Sequence, residues 1–279
     1  MLLATVLALA AAVLHAGWNL AAKRAEGDRY LVLWAQFFAA GLLALPFLVA
    51  YQAIWGMPWQ SYMWAGISGC VHVPYMWLLA RAYNFGDFSI SYPVARGGGA
   101  ALAAIGGVVA LNDHLSALAI VGIAIVVLGL VMLAYGAHGK SLGMALLAAV
   151  SIGVYSTVDG KGARISPDVV AFALATMCAG GITNTTAALI IRRPAAMSAM
   201  FRANWRRAFV TGFATTVTYG MVLVAFTYAP IGYVTALRES SVVLAALAGW
   251  RLLGEGDHRR RISAAIVVLC GLIVLVIGR

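Results

Sequence analysis

Charge is scarce in this chain. Of 279 residues, 19 are Lys or Arg and 9 are Asp or Glu, 10% in all, where a soluble domain carries roughly 25%. Long polar stretches are missing as well. The longest connection of that kind, Arg192–Arg206, is too short to hold a soluble domain. Cysteine is nearly absent: Cys70, Cys178 and Cys270 each lie inside an apolar run, with no CxxC. That implies neither a disulfide framework nor a zinc site, and the three read as buried small apolar residues. No HExxH or HxxxH spacing implies a metal, and no glycine-rich phosphate loop or Ser/His/Asp arrangement is present. Neither a cofactor nor catalytic residues are expected. The net charge of +10 comes from basic residues set mostly between apolar runs. There they bias membrane orientation rather than bind nucleic acid.

What is present is apolar sequence, 63% of the chain. A membrane helix needs about 20 mostly apolar residues. Ten runs qualify: Leu2–Ala22, Tyr30–Ala50, Gln60–Tyr83, Phe88–Leu111, Leu115–Gly136, Ser141–Val158, Val169–Ile191, Arg207–Ala229, Ile231–Gly254 and Ile262–Ile277. Their length favours helix over membrane-spanning strand. The first run lacks a positive leader region and continues to Ala22, so it reads as a membrane helix rather than a signal peptide. The predicted fold is all-α and integral to the membrane, with ten transmembrane helices.

The second half repeats the first. A shift of 142 residues brings Arg96 onto Arg238, Gly107 onto Gly249, Leu111 onto Leu253 and Gly129 onto Gly271, with Asp113 on Glu255. Near the front of each half a shift of 137 brings Trp18 onto Tyr155. Residues 1–136 and 141–279 are therefore expected to be two five-helix repeats. An odd helix count inverts the second, a recurrent plan of secondary transporters with a site near the membrane midplane. The connections after odd-numbered helices hold Lys23, Arg24, Arg29, Lys140, Arg192, Arg193, Arg202, Arg206, Arg259, Arg260 and Arg261, and the others only Lys161 and Arg164. The positive-inside rule then puts both termini outside the cytoplasm. Trp55, Trp59, Tyr62 and Trp64 suit an aromatic belt at the opposite face.

Arg238 and Glu239 lie about a third of the way into the ninth run. Ionisable groups at membrane depth mark binding sites or ion paths by default. Arg238 is a candidate for substrate binding, and Glu239 for substrate, for a coupling proton or for an ion pair. Adjacent on a helix, they point about 100° apart and suit partners other than each other, with Ser241 close by. Arg96 is the counterpart in the fourth run, with Tyr92 one turn before it, and an Arg96–Glu239 pair across the repeat axis is expected. Pro93 and Gly97, Gly98 and Gly99 fit either a bent helix that exposes backbone or close helix packing. His15, Asn19 and Lys23 form one stripe at four-residue spacing, with Trp18 beside it. Lys23 is expected to reach the interface. Ser151, Tyr155 and Asp159 share a face of the sixth run, with Asp159 near the membrane edge and Gly160 and Gly162 suited to a hinge or helix end. His72, Tyr75, Asn184, Thr215, Thr218 and Tyr219 read on their own as packing or interhelical hydrogen bonding.

The segments LHAGWN with Lys23, ARAYNFGDFSISYPVARGG, VYSTVDGKGAR and TYAPIGYVTALRESSVVLAALAGWRLLGE resemble the drug/metabolite transporter superfamily, in its two-domain EamA form. The resemblance spans nearly the whole chain. It implies ten helices in two inverted repeats and a central cavity lined by helices 1, 3, 4, 6, 8 and 9. It also implies transport of small metabolites, often export, driven by protons or exchange. Carried onto this sequence, the cavity residues are His15, Trp18, Asn19, His72, Tyr75, Tyr92, Arg96, Tyr155, Asp159, Tyr219, Arg238, Glu239 and Ser241. Cytoplasmic termini are implied too, opposite to the loop charges, and both orientations stand.

The leading expectation is a secondary active transporter of a small polar metabolite, in a bacterial inner membrane, working by alternating access. Two cavity arginines favour an anionic or zwitterionic solute, because guanidinium matches a carboxylate fork. Glu239, Asp159 or His15 could carry a coupling proton. The expected partners are the solute, the bilayer and protons, in a monomer or homodimer. A flippase for a lipid-linked or amphiphilic substrate is the alternative, and would need a groove open to lipid. An intramembrane enzyme is the more distant one.

Overall fold

Lipid cannot satisfy backbone amides, so a spanning segment must bond to itself, and a helix does so. The computed structural model describes residues 1–114, 116–135 and 139–278. Among these there are eleven helices and no strand: α1 Leu2–Lys23, α2 Arg29–Ile54, α3 Trp59–Phe85, α4 Phe88–Leu111, α5 Ala117–Ala134, α6 Gly139–Ile165, α7 Val169–Ile191, α8 Pro194–Tyr228, α9 Ile231–Arg238, α10 Ser241–Leu253 and α11 His258–Ile277. Six of them, α1, α2, α4, α6, α7 and α8, are long and apolar enough to cross a membrane. The expected bounds of the fifth run, Leu115 and Gly136, lie outside the described residues, as do the expected ends of both halves at 136 and 279.

Small residues face inward and large ones outward. In α1, Ala4, Ala8, Ala11 and Ala12 are buried, whereas Leu3, Val6, Leu9 and Val13 are exposed. In lipid, close van der Waals packing holds helices together, so small residues gather at the contacts. A Cβ on Gly122 of α5 would lie 2.7 Å from the Gly271 carbonyl oxygen of α11, so the two backbones touch there. Gly41 of α2 and Gly181 of α7 meet in the same way. The other large interfaces join α4 to α6, α3 to α6 and α7, and α8 to α1 and α2, while α9 and α10 pack on α1 and α4.

Helix ends are set by local chemistry. Asp28 accepts from the Tyr30 amide at the start of α2, and Asp168 from the Val170 and Ala171 amides at the start of α7. The helix α4 ends on Asn112 in the left-handed conformation, and α10 on Gly254 in the same conformation. In each case the following amide, of Asp113 or Glu255, bonds back to the carbonyl of Gly107 or Gly249 at 3.0 Å. The amide of the left-handed residue itself, Asn112 or Gly254, bonds to the same carbonyl, so two successive amides close each helix on one oxygen. The two motifs lie 142 residues apart.

Several boundaries differ from expectation. The stretch Ile231–Gly254 is two helices, not one. At the junction Ser240 N bonds to Leu237 O at 3.1 Å and Val242 N to Glu239 O at 2.8 Å. These are i→i−3 bonds, a 3₁₀ pinch that keeps the chain helical. By contrast α4 runs unbroken through Pro93. A Cβ on Gly97 or Gly99 would strike Leu130 or Ile152, so these glycines serve close packing. The expected polar connection 192–206 is helical over 194–203 and continues past a non-helical Asn204 (φ −125°, ψ 17°) into the rest of α8. Likewise α6 does not end at Gly160 and Gly162, where the side chains of Ile231 and Phe172 occupy the space a Cβ would need. Cys178 is buried, but Cys70 and Cys270 are exposed; a thiol is apolar enough to face lipid.

Candidate functional site

Two arginines and one carboxylate meet inside the bundle. Arg96 Nη2 donates to Glu239 Oε1 at 2.6 Å and Arg96 Nε to Oε2 at 3.2 Å. Arg96 Nη1 also donates to the Tyr155 hydroxyl at 3.2 Å. Arg238 approaches the same carboxylate only loosely, Nε to Oε1 at 3.5 Å, in line with the divergence of adjacent helix positions. The Arg238 atoms Nε and Nη2 have no hydrogen-bond partner, although the residue is 2% exposed.

Arg238 borders a cavity of about 20 Å³, room for one or two waters. His15 and Trp18 of α1, His72 and Tyr75 of α3, Tyr155 of α6 and Tyr219 of α8 line it. His72 stacks on Tyr155 at 4.3 Å between centroids, and His15 meets the Trp18 ring edge-on at 4.6 Å. His72 Nδ1 pairs with the Ser68 carbonyl at 2.8 Å. The Tyr219 hydroxyl donates to Asp159 Oδ2. Asp159 is 1% exposed, so it is buried within the bundle. Several other buried polar atoms here also lack partners: His15 Nε2, Trp18 Nε1, Thr218 Oγ1 and Asp159 Oδ1. A buried polar group without a bond is costly.

Other expected site residues bond to protein. Asn19 donates to the His15 carbonyl at 2.9 Å and accepts from the Tyr83 hydroxyl at 2.9 Å. The Tyr92 hydroxyl donates to Ser241 Oγ at 2.9 Å. Neither pair lines the cavity. Lys23 Nζ donates to the Tyr83 and Gly86 carbonyls at 2.8 and 2.9 Å and closes the end of α3. Sequence reasoning missed Phe37, Met177 and Val222 as lining residues and took Thr215 and Thr218 for packing. Thr215, Thr218, Tyr219 and Val222 follow the i, i+3, i+4, i+7 pattern of one helix face, which could have found them. Phe37 and Met177 carry no such signal.

Each end of α4 is closed by a carboxylate. At its C-terminal end Asp113 accepts from Arg164 Nη1 at 2.8 Å and Nη2 at 3.2 Å, and from the Ile231 amide at 3.2 Å. At its N-terminal end Glu255 accepts from the Phe88 and Ser89 amides at 2.7 and 2.9 Å, from the Ser89 hydroxyl, and from Arg261 at 3.3 Å. Arg261 reaches on to Asp87 at 2.5 Å. A 24-residue helix separates the two clusters, about 36 Å at 1.5 Å per residue. Each carboxylate caps the free amides of the other half's helix, the arrangement that helix N-termini favour.

Known proteins bear on the assembly. A solved crystal structure, 15% identical in sequence, aligns over 99% of this chain and 98% of its own with a TM-score of 0.71, so the fold is shared. No curated protein sequence matches. Residues 139–277, which carry Tyr155, Asp159, Tyr219, Arg238 and Glu239, match the EamA-like transporter family. The chain belongs to that family, part of the drug/metabolite transporter superfamily, and is a multi-pass membrane protein of transporter type.

Proposed function

We propose that the chain is a secondary active transporter of a small polar metabolite bearing a carboxylate, anionic or zwitterionic. It works by alternating access, in export or exchange, at a bacterial inner membrane. The observation that carries this reading is the group of buried polar atoms without partners around the cavity, led by the Arg238 guanidinium. A carboxylate would satisfy Arg238 in a fork. Asp159 Oδ1 offers an acceptor for an ammonium group or a coupling proton.

The reading includes ten crossings in two inverted repeats, residues 1–136 and 141–279, with α9 and α10 forming one crossing. Packing supports it. Exchanging the repeats turns α4–α6 into α10–α1, α3–α6 into α8–α1 and α3–α7 into α8–α2, and every one of these pairs is in contact. The matched left-handed C-terminal turns and end carboxylates support the same register. A cavity of only about 20 Å³ fits an occluded state of the cycle. The excess of basic residues at one end supports termini outside the cytoplasm.

The flippase reading has one observation in its favour, an apolar groove on the outer face between α2 and α7. Phe38 and Cys178 line that groove, whereas their neighbours Phe37 and Met177 line the cavity. The two spaces share no lining residue, which favours the polar solute.

Thermal unfolding of purified protein against a panel of organic acids, amino acids and amines tests the proposal, because a ligand of the native state raises apparent stability. Carboxylate-bearing solutes are expected to stabilise the wild type and not Arg238→Gln. Stabilisation by amines alone, or by carboxylates equally in both proteins, would overturn it.

A further inference from the structure

We infer that the groove between α2 and α7, with the arginine-rich helix at its end, is a binding site for one anionic phospholipid of the surrounding bilayer. This rests on features apart from the central cavity. At the floor of the groove Gly41 and Gly181 let the backbones of α2 and α7 touch, and Leu42, Leu45 and Ile182 form its apolar walls over about 280 Å³. Through Phe38 and Thr185 it runs into a second hollow of about 510 Å³. Trp34, Met197, Phe201 and Arg202 border that hollow.

The mouth is basic. Arg202 is exposed, its Nε bonds only to the Ser198 carbonyl at 3.4 Å, and it forms no ion pair among the described residues. Arg193, Arg206 and Arg207 are exposed nearby in sequence, and no Asp or Glu lies between Asp168 and Glu239. Segment 194–203 is amphipathic: Met197 is buried, and Met200 and Phe201 are partly buried against the core, with Ser198 and Arg202 outward. A basic amphipathic helix with aromatic neighbours suits the headgroup level of a membrane.

An apolar channel ending at exposed guanidinium groups is complementary to a molecule with an acyl chain and a phosphate. A soluble anion has no use for the channel. A second copy docking through the same face would set its own arginines against these.

Native mass spectrometry of the purified, delipidated full chain tests the site, with phosphatidylglycerol and phosphatidylcholine of equal chain length as probes. One phosphatidylglycerol is expected to bind more tightly than phosphatidylcholine. Arg202→Gln should weaken phosphatidylglycerol about fivefold, the worth of one basic residue near a charged lipid surface, and leave phosphatidylcholine unchanged. Leu42→Trp should fill the groove and weaken both lipids at unchanged melting temperature, because Leu42 is exposed and bonds to nothing through its side chain. If Leu42→Trp does not fold, Ile182→Trp probes the same channel. Equal binding of the two lipids to the wild type would overturn the proposal. So would full phosphatidylglycerol binding by Arg202→Gln, or a tryptophan variant that splits a dimer with lipid binding intact.

Discussion

Arg96 holds Glu239 by two hydrogen bonds, at 2.6 and 3.2 Å, while Arg238 stands 3.5 Å from the same carboxylate. One carboxylate thus serves two buried guanidinium groups. Removing it strands both cations, whereas removing Arg96 leaves a carboxylate that Arg238 can take over. Breaking a buried pair costs about 3–5 kcal/mol. Glu239→Gln is expected to lose that much stability in detergent unfolding, and Arg96→Gln less. Equal losses, or the reverse order, would show that Arg238 does not share the carboxylate.

Arg238 is expected to behave oppositely. Two of its donors bond to nothing in the protein, so Arg238→Gln should leave stability unchanged or raised. Solute affinity should fall by about 1.5–3 kcal/mol, the worth of a hydrogen bond to a charged group. Arg238→Lys should recover the charge but not the affinity, since lysine has no planar fork. Titration of each variant with a stabilising carboxylate measures this. Wild-type affinity in the lysine variant would show that a point charge suffices.

The centre of the molecule was legible in the sequence because charge is so rare there. A repeat that sets Arg96 on Arg238 leaves Glu239 as the natural partner of Arg96 across the axis, and the two are bonded. The full length of α6 was not legible. The apolar run ends at Val158, but α6 continues to Ile165, and Gly160 and Gly162 admit Ile231 and Phe172. The pinch at Glu239 and Ser240 has no proline or glycine to announce it. Phe37 and Met177 lie in uniformly apolar helices, where composition does not separate a cavity wall from a lipid face.

Asp159 is the better placed of the two interior acids to exchange a proton. Both oxygens of Glu239 are held by Arg96, whereas Asp159 binds Tyr219 through Oδ2 and leaves Oδ1 unpartnered. Asp159→Asn is expected to keep solute exchange across proteoliposomes while abolishing accumulation driven by a pH gradient. Gradient-driven accumulation at the wild-type level in this variant would remove Asp159 from coupling.

The two end clusters should act as separate locks. Asp113 makes one arginine pair and one amide bond, with side chains 12% and 28% exposed. Glu255 makes two amide bonds, a hydroxyl bond and an arginine pair, with side chains 7% and 9% exposed. The second cluster is the denser, so Glu255→Gln should cost more stability than Asp113→Asn. A cysteine at Thr218, in a background with Cys70, Cys178 and Cys270 replaced, reports opening through an impermeant maleimide. Asp113→Asn should speed labelling from the Asp113 side alone, and Glu255→Gln from the other side alone. Faster labelling from one side in both variants would mean that the clusters are not gates of opposite ends.

A change without charge separates the geometry of the locks from their electrostatics. Gly107 and Gly249, matched by the 142-residue repeat, each lie beneath one of the carboxylates. A Cβ on Gly107 would stand 2.7 Å from Asp113 Oδ2, and one on Gly249 2.6 Å from Glu255 Oε2 and 2.7 Å from Ser89 Cβ. Contacts this short force the carboxylate to move, and with it the bonds to Ile231 or to Phe88 and Ser89. Gly107→Ala should therefore reproduce the one-sided labelling of Asp113→Asn, and Gly249→Ala that of Glu255→Gln. Net charge is unchanged in both, so the effect should persist at high salt, where a loss of long-range attraction would be screened. If either alanine variant labels like the wild type, the carboxylate at that end tolerates displacement, and the lock depends on its charge alone.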